Sequence, residues 1–262
     1  MTKCWEFSGK AVLLGFIFVC GLSGCVTTIE NPKPKRDKHE ALEANIKLGM
    51  TYLQQDKREG AMRSFSKALA LDKKSAEAYL GLGLLHQMNG ELEEAEANFK
   101  KALRNRADFS RASIEFSYGR LLYDQKRLKE AKKMFESAGS DYAYPGRAEA
   151  LLNAGLCALK LGDAVRAKAA FEHSLNLNDR LSQASLELAD VAFSERDYAS
   201  SKRYLDQFAS LTRQVPRSLW LGIRIERIFG NKDKEASYAL ALKNLYPYSQ
   251  EYLDYKRFVE QN

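Results

Sequence analysis

The sequence predicts an all-α fold, an array of about six antiparallel helix hairpins, and three observations predict it. Long stretches rich in Ala, Leu, Lys and Glu run through 262 residues that hold only five Pro, a composition that favours helix over strand. Small and aromatic residues recur together every 34 to 36 positions, the mark of stacked supersecondary units. Within each period stands a short turn signal of the kind that ends one helix and starts the next. With 45% apolar and 29% charged residues the chain can build a core and a soluble surface, which excludes a disordered polymer.

Residues 1–24 differ from the rest. Lys3 and Lys10 make a positive start, Ala11 to Cys20 an apolar run, and Leu22-Ser23-Gly24 lead into Cys25; this reads as a secretory signal. The run is about ten residues, half of the roughly 20 that a membrane-spanning helix needs. Leu22-Ser23-Gly24-Cys25 resembles the bacterial lipobox, which implies cleavage before Cys25 and acylation of its sulfur and amine, palmitate being one such chain. Several acyl chains anchor far more firmly than one. Val26, rather than Asp, follows the cysteine; in Gram-negative lipoproteins of this kind that implies the outer membrane.

Residues 25–41 are expected to be the lipidated N-terminus and a flexible tether. The run Pro32-Lys33-Pro34-Lys35-Arg36-Asp37-Lys38 suits a solvated linker, and its charge could also meet anionic head groups. Loss of residues 1–24 leaves 39 basic against 33 acidic residues, a balance of +6. Cys4 and Cys20 would depart with the signal and Cys25 would be acylated. Cys157 is then the single free thiol, which excludes an intrachain disulfide, a redox pair and a zinc site.

The array is expected over residues 42–250. Leu48-Gly49-x-x-Tyr52 with Ala61, Phe65 and Ala68 returns 34 residues on as Leu82-Gly83-x-x-His86 with Ala95, Phe99 and Ala102. Tyr118-Gly119, Ala131, Phe135 and Ala138 follow after 36 more, and Ala154-Gly155, Ala167, Phe171 and Ser174 after another 36. Two weaker copies come next: Leu188-Ala189, Ser201, Leu205 and Phe208, then Ile223, Ala236 and Leu240 with Trp220 ahead of them. Helices approach closely only where small residues sit, and large residues fill the gap to the next hairpin. Gln55-Asp56, Asn89-Gly90, Gly162-Asp163 and Arg196-Asp197 read as the turns, with Gly or Asn ending one helix and Asp capping the next. This pattern resembles the tetratricopeptide (TPR) repeat, which implies a right-handed superhelical array of about six hairpins. The longer spacings around the third copy, including Asp141 to Gly146, are expected to lengthen inter-repeat turns and shift the pitch. Residues 251–262 are expected to form a capping helix over the last apolar face.

Nothing in the sequence points to catalysis. His39, His86 and His173 fall in the tether, at a core-type position, and on a second helix, and do not converge. There is no His-Glu-x-x-His, Gly-x-Ser-x-Gly, phosphate-cradling loop or paired-Cys spacing. Glu93, Glu94 and Glu96 near Lys100 and Lys101 are read as solvated i,i+4 pairs. Nucleic acid is excluded as a partner because the basic residues are spread among acidic ones and the export signal leads away from it. The expectation is a non-enzymatic protein without cofactor, metal or small-molecule substrate.

In TPR arrays the concave groove is lined by the first helix of each repeat. The matching positions are Ile46, Met50 and Leu53; Leu80, Leu84 and Met88; Phe116, Arg120 and Tyr123; Leu152, Leu156 and Leu159. The cationic and amide side chains that clamp a terminal carboxylate in chaperone-binding TPR domains are missing from Ile46, Met50, Leu80 and Leu84. The partner-binding groove is therefore read as Ile46, Met50, Leu53, Leu80, Leu84, Met88, Phe116 and Tyr123, taking an amphipathic or apolar segment of another protein. Burial of the same side chains as plain core is the competing reading.

Tyr144-Pro145-Gly146-Arg147-Ala148-Glu149-Ala150-Leu151, continuing to Asn153-Ala154-Gly155-x-Cys157-Ala158, resembles the central motif of the PilF/PilW family of type IV pilus biogenesis lipoproteins. So do Ser218-Leu219-Trp220-Leu221-Gly222-Ile223-Arg224-Ile225-x-Arg227, Ala236-Ser237-Tyr238-Ala239-Leu240 and Pro247-x-Ser249-x-Glu251-Tyr252. Tyr246-Pro247 departs from the family's usual Phe-Pro. The resemblance implies a pilotin: an outer-membrane lipoprotein that helps the pilus secretin localise and multimerise. Two alternatives share some of these features. One is a TPR lipoprotein of the β-barrel assembly machinery; the other is a glycan-binding envelope accessory protein, for which inward carboxylate pairs or aromatic platforms would be needed.

Overall fold

A computed structural model describes residues 37–105 and 111–261. The signal segment, Cys25 and the tether up to Arg36 lie outside the described residues; the tether expected to run to residue 41 ends by Asp37, because Lys38 to Ala41, His39 included, already belong to the first helix. Thirteen helices and no strand occur among those described. Twelve form six hairpins: α1 (Lys38–Gln54) with α2 (Arg58–Leu71), α3 (Ala76–Asn89) with α4 (Leu92–Arg104), α5 (Arg111–Asp124) with α6 (Leu128–Ser140), α7 (Arg147–Lys160) with α8 (Ala164–Leu177), α9 (Ser182–Ser194) with α10 (Tyr198–Leu211), and α11 (Pro216–Ile228) with α12 (Lys232–Leu245). A single helix, α13 (Gln250–Glu260), follows. Each helix packs on the next in sequence, and α1 also touches α3, α3 touches α5 and α9 touches α11. The hairpins therefore stack as a right-handed superhelical TPR-type array, with the odd-numbered helices side by side.

Every hairpin turns on one left-handed residue: Asp56, Gly90, Lys126, Gly162, Arg196 and Gly230. Their spacing of 34, 36, 36, 34 and 34 residues reproduces the repeat period. A side chain in this conformation costs roughly 1–2 kcal/mol, so the stacked helices impose the turn at Asp56, Lys126 and Arg196. The sequence reading of Asp56 as a cap for the second helix is corrected here: Asp56 is itself the left-handed residue, and Lys57, which precedes α2, makes no side-chain cap. Asp163 and Asp197 do cap, accepting from the backbone N–H of Arg166 at 3.1 Å and Ser200 at 3.0 Å.

Glycine and phenylalanine seal the first four hairpins. A Cβ added at Gly49, Gly83, Gly119 or Gly155 would stand 2.5, 2.8, 2.8 or 2.5 Å from the ring of Phe65, Phe99, Phe135 or Phe171, and all four rings are fully buried. Each such ring contributes about 2–3 kcal/mol of apolar burial. Where serine replaces the usual alanine, its hydroxyl is satisfied by the facing helix: Ser174 Oγ donates to the Ala148 carbonyl at 2.8 Å, and Ser201 Oγ to that of Ala189 at 2.7 Å.

The sixth hairpin is sealed differently, and the sequence register there needs correction. Ala236 and Leu240 are exposed, while Leu242 is fully buried and the Tyr238 ring fills the space over Gly222. The large residue has moved to the first helix as Ile223, also fully buried, so pattern matching on its small-then-large order slips along α12.

A second correction concerns Glu96. Its expected i,i+4 pair with Lys100 forms, but the carboxylate is half-buried and also serves as a joint between hairpins two and three. Its carboxylate accepts from Arg127 Nη1 at 2.6 Å and from the Tyr118 hydroxyl at 2.8 Å, and pairs with Lys100 at 2.7 Å. The Arg127 guanidinium, bonded also to Glu130, holds the Glu96 carboxyl down at about 2. Burial and the Glu96 carboxylate push the Tyr118 hydroxyl up to about 12.

Candidate functional site

The first helices of hairpins one to three line a concavity of about 450 Å³. Met50, Leu53 and Gln54 come from α1, Leu84, Gln87 and Met88 from α3, and Ser117 and Arg120 from α5. Turns of 3.6 residues put Met50 with Leu53 and Leu84 with Met88 on one face of their helices. The Gly–Phe seams behind that face hold the helices close enough for the three rows to meet.

Four of the eight groove residues read from the sequence, Met50, Leu53, Leu84 and Met88, thus line one concavity. Met88 is 41% exposed at its rim, whereas Leu53 is 8% exposed and forms floor. The other four stand elsewhere. Leu80 belongs to the core beneath α3 and α5. Phe116 packs edge-on against Phe135 at 5.7 Å and against Tyr144 at 6.2 Å. The Tyr123 ring carries the Lys160 ammonium at 5.1 Å. Ile46 is half-buried, one turn before Met50 on α1.

Sequence reasoning passed over three polar members, Gln54, Gln87 and Ser117. The two glutamines occupy the same late slot of the first helix as Leu53 and Met88, and attention to both residues of that slot would have found them. The Ser117 hydroxyl donates back to the Ser113 carbonyl at 2.9 Å, leaving its oxygen free to accept. Arg120 is the one charged side chain of the lining. It is exposed and forms no ion pair among the described residues.

Farther along, the corresponding helices α9 and α11 face each other across charge. Arg217 grips Glu187 in a two-pronged pair at 2.8 and 2.7 Å and reaches Asp190 at 2.5 Å. Arg224 lies over the rings of Phe193 at 4.4 Å and Trp220 at 5.3 Å, with Asp190 3.9 Å away. Burial pushes the Asp190 carboxyl up against the pull of Arg217, and lowers Arg224. The α13 helix closes this end: Trp220 meets Tyr255 at 6.3 Å and Phe258 at 5.6 Å, and Arg227 stacks on Phe258 at 4.3 Å.

Cys157 is buried in the core, where loss of water pushes its thiol up to about 11; a thiol so placed is a packing residue and not a nucleophile. His86, read as a core-type position, is half-buried and hydrogen-bonds Glu91 across the turn from α3 to α4. Among the described residues no group of three His, Cys, Asp or Glu side chains could hold a metal ion, and no helix is long and apolar enough to cross a membrane.

Models of the tetratricopeptide repeat match residues 49–90, 76–109 and 116–177. The type IV pilus assembly protein PilF of Pseudomonas aeruginosa is 40% identical over 245 residues, which cover 93% of this chain and 96% of that protein. Two solved structures are similar over most of the array. That of Pseudomonas aeruginosa PilF is 39% identical, with a TM-score of 0.78 over 84% of this chain and 98% of its own. That of PilW, described as a widely conserved type IV pilus biogenesis factor, is 26% identical, with a TM-score of 0.66 over 82% of this chain and 98% of its own.

Proposed function

The chain belongs to the PilF family of TPR proteins of type IV pilus assembly, and from that premise we propose that it is a pilotin. In this reading it is a lipid-anchored outer-membrane scaffold, on the periplasmic face, that promotes localisation and multimerisation of the pilus secretin and catalyses nothing. One observation carries the reading beyond family membership: an open apolar concavity on the first three hairpins, the ones nearest the Cys25 end of the chain.

Cys25, acylated after removal of residues 1–24, would hold the array at its membrane. The twelve residues between Cys25 and α1 have a root-mean-square reach of about 20 Å when flexible. An arriving secretin segment would then meet the groove at high local concentration, so a modest intrinsic affinity suffices. Met50, Leu53, Leu84 and Met88 supply the apolar contacts, methionine adapting to irregular partners.

The test is secretin assembly in cells. Deletion of the gene is expected to remove heat-resistant secretin multimers, and wild-type protein to restore them. A Cys25→Ala copy should leave secretin poorly localised, and a Met50→Glu, Leu84→Glu copy should leave it unassembled while keeping full helicity by circular dichroism. Normal multimers in the deletion strain would overturn the pilotin role, and normal multimers with the double variant would overturn the groove.

A further inference from the structure

We infer that the concavity reads an extended segment with two apolar residues and a carboxylate, and that Arg120 sets the preference for acid. The inference rests on the reading of this concavity as a partner-binding groove and adds the chemistry of its occupant.

The lining argues for an extended occupant. Gln54, Gln87 and Ser117 interrupt the apolar floor. An amide side chain both donates and accepts, and so does a peptide group of extended backbone. A helix satisfies its own backbone and would leave these groups facing apolar side chains.

The charge is equally one-sided. Among the described residues no acidic side chain lines the concavity, and Arg120 brings to its α5 end a guanidinium that forms no ion pair with them. Asp124, one turn on, lies outside the lining, where Gln87 Nε2 reaches it at 3.5 Å. A carboxylate on the occupant would complete the arrangement, and a lysine there would be repelled. Neighbouring helix axes lie about 8–10 Å apart and an extended residue advances about 3.3 Å. Steps from Met50 to Leu84 to Arg120 therefore correspond to roughly three residues each, giving an apolar residue, another three on, and an Asp or Glu three beyond.

Fluorescence anisotropy on the detergent-solubilised full-length protein tests this. The probes are fluorescein-labelled peptides Ser-Ser-Leu-Ser-Ser-Leu-Ser-Ser-Glu-Ser and the same residues in reverse order, each also with the Glu replaced by Lys. One of the two acidic peptides is expected to bind, with its Lys version about tenfold weaker. Arg120→Glu, an exposed change that leaves the fold intact, should reverse that preference. Met50→Glu with Leu84→Glu should abolish binding of that acidic peptide. Equal binding of Glu and Lys peptides, an unchanged preference in Arg120→Glu, or no binding in either order would overturn the inference. The wider groove reading fails separately, through normal secretin multimers in cells carrying the Met50, Leu84 double variant.

Discussion

Hairpins one to four and hairpins five and six have the same backbone, but they are sealed and faced by different chemistry. In the first four a glycine meets a fully buried phenylalanine, and the face toward the first three is apolar and open. In the sixth, Ile223 and Gly222 meet Ala239 and Tyr238, and the facing side chains of the last two are locked by Arg217, Arg224, Glu187 and Asp190 beneath α13. The difference separates two jobs. An end that must accept a partner keeps its apolar side chains free, and an end that must terminate the stack consumes its side chains on itself, as capping units of arrays do.

The largest expected effect tests the seams. Phe99→Ala should cost about 3–5 kcal/mol, the range for a fully buried ring, whereas Tyr238→Ala, removing a half-buried ring, should cost about 1–2 kcal/mol. Trp220 is the only tryptophan outside residues 1–24, so its fluorescence follows the last hairpins while far-ultraviolet circular dichroism follows the whole array. In urea, Phe99→Ala should lower the dichroism midpoint and leave the Trp220 transition near its place, because repeats couple mainly to their neighbours. Equal losses for the two variants would dissolve the distinction between the seams.

The charged face comes next. Arg217→Met leaves Glu187, 5% exposed, and Asp190 without their strongest partner. Loss of one member of a buried pair costs about 3–5 kcal/mol; part-exposure of the guanidinium reduces the expectation to about 2–3 kcal/mol. The Trp220 transition should move to lower urea and peptide binding at the first three hairpins should stay unchanged. Weakened binding would mean that the two ends are coupled, contrary to the division of labour argued above. Cys157 gives a milder probe of the middle of the array: with its thiol buried and pushed up to about 11, it should resist maleimide at pH 7.5 and react once urea opens the core.

What could be read from sequence follows the same boundary. The Gly–Phe complementarity of the first four hairpins is local and periodic, so composition and spacing reveal it, along with Met50, Leu53, Leu84 and Met88. Hairpin six inverts the sizes, so matching by residue type selects Leu240, whereas the 34-residue step from Phe208 lands on the buried Leu242. Left-handed Lys126 and Arg196 carry no turn chemistry of their own; tertiary packing imposes it. Leu80 and Phe116 occupy groove-type positions by spacing yet pack inward, because the curvature that decides between face and core is set by the neighbouring hairpins. Glu96 shows a related contrast: the i,i+4 rule finds its partner Lys100, but Arg127 lies 31 residues away on the next hairpin, and no such rule can find it.

The smallest expected effect distinguishes the two regions by acid. The Glu96 carboxyl is held at about 2, below its ordinary 4.5, first by Arg127. A depressed carboxylate contributes stability that is fully present above the unfolded value and is lost as pH falls through 4.5 toward 2. Glu96→Gln should therefore cost about 1 kcal/mol between pH 5 and 7, with the gap closing as pH approaches 2. Asp190 has the opposite sign, because burial pushes its carboxyl up: protonation there relieves the folded state, and Asp190→Asn should not flatten the acid limb. Urea midpoints for the three proteins at pH 7, 4 and 2.5 measure both trends. A Glu96→Gln gap that persists at pH 2.5 would show that packing, and not the Arg127 ion pair, joins hairpins two and three.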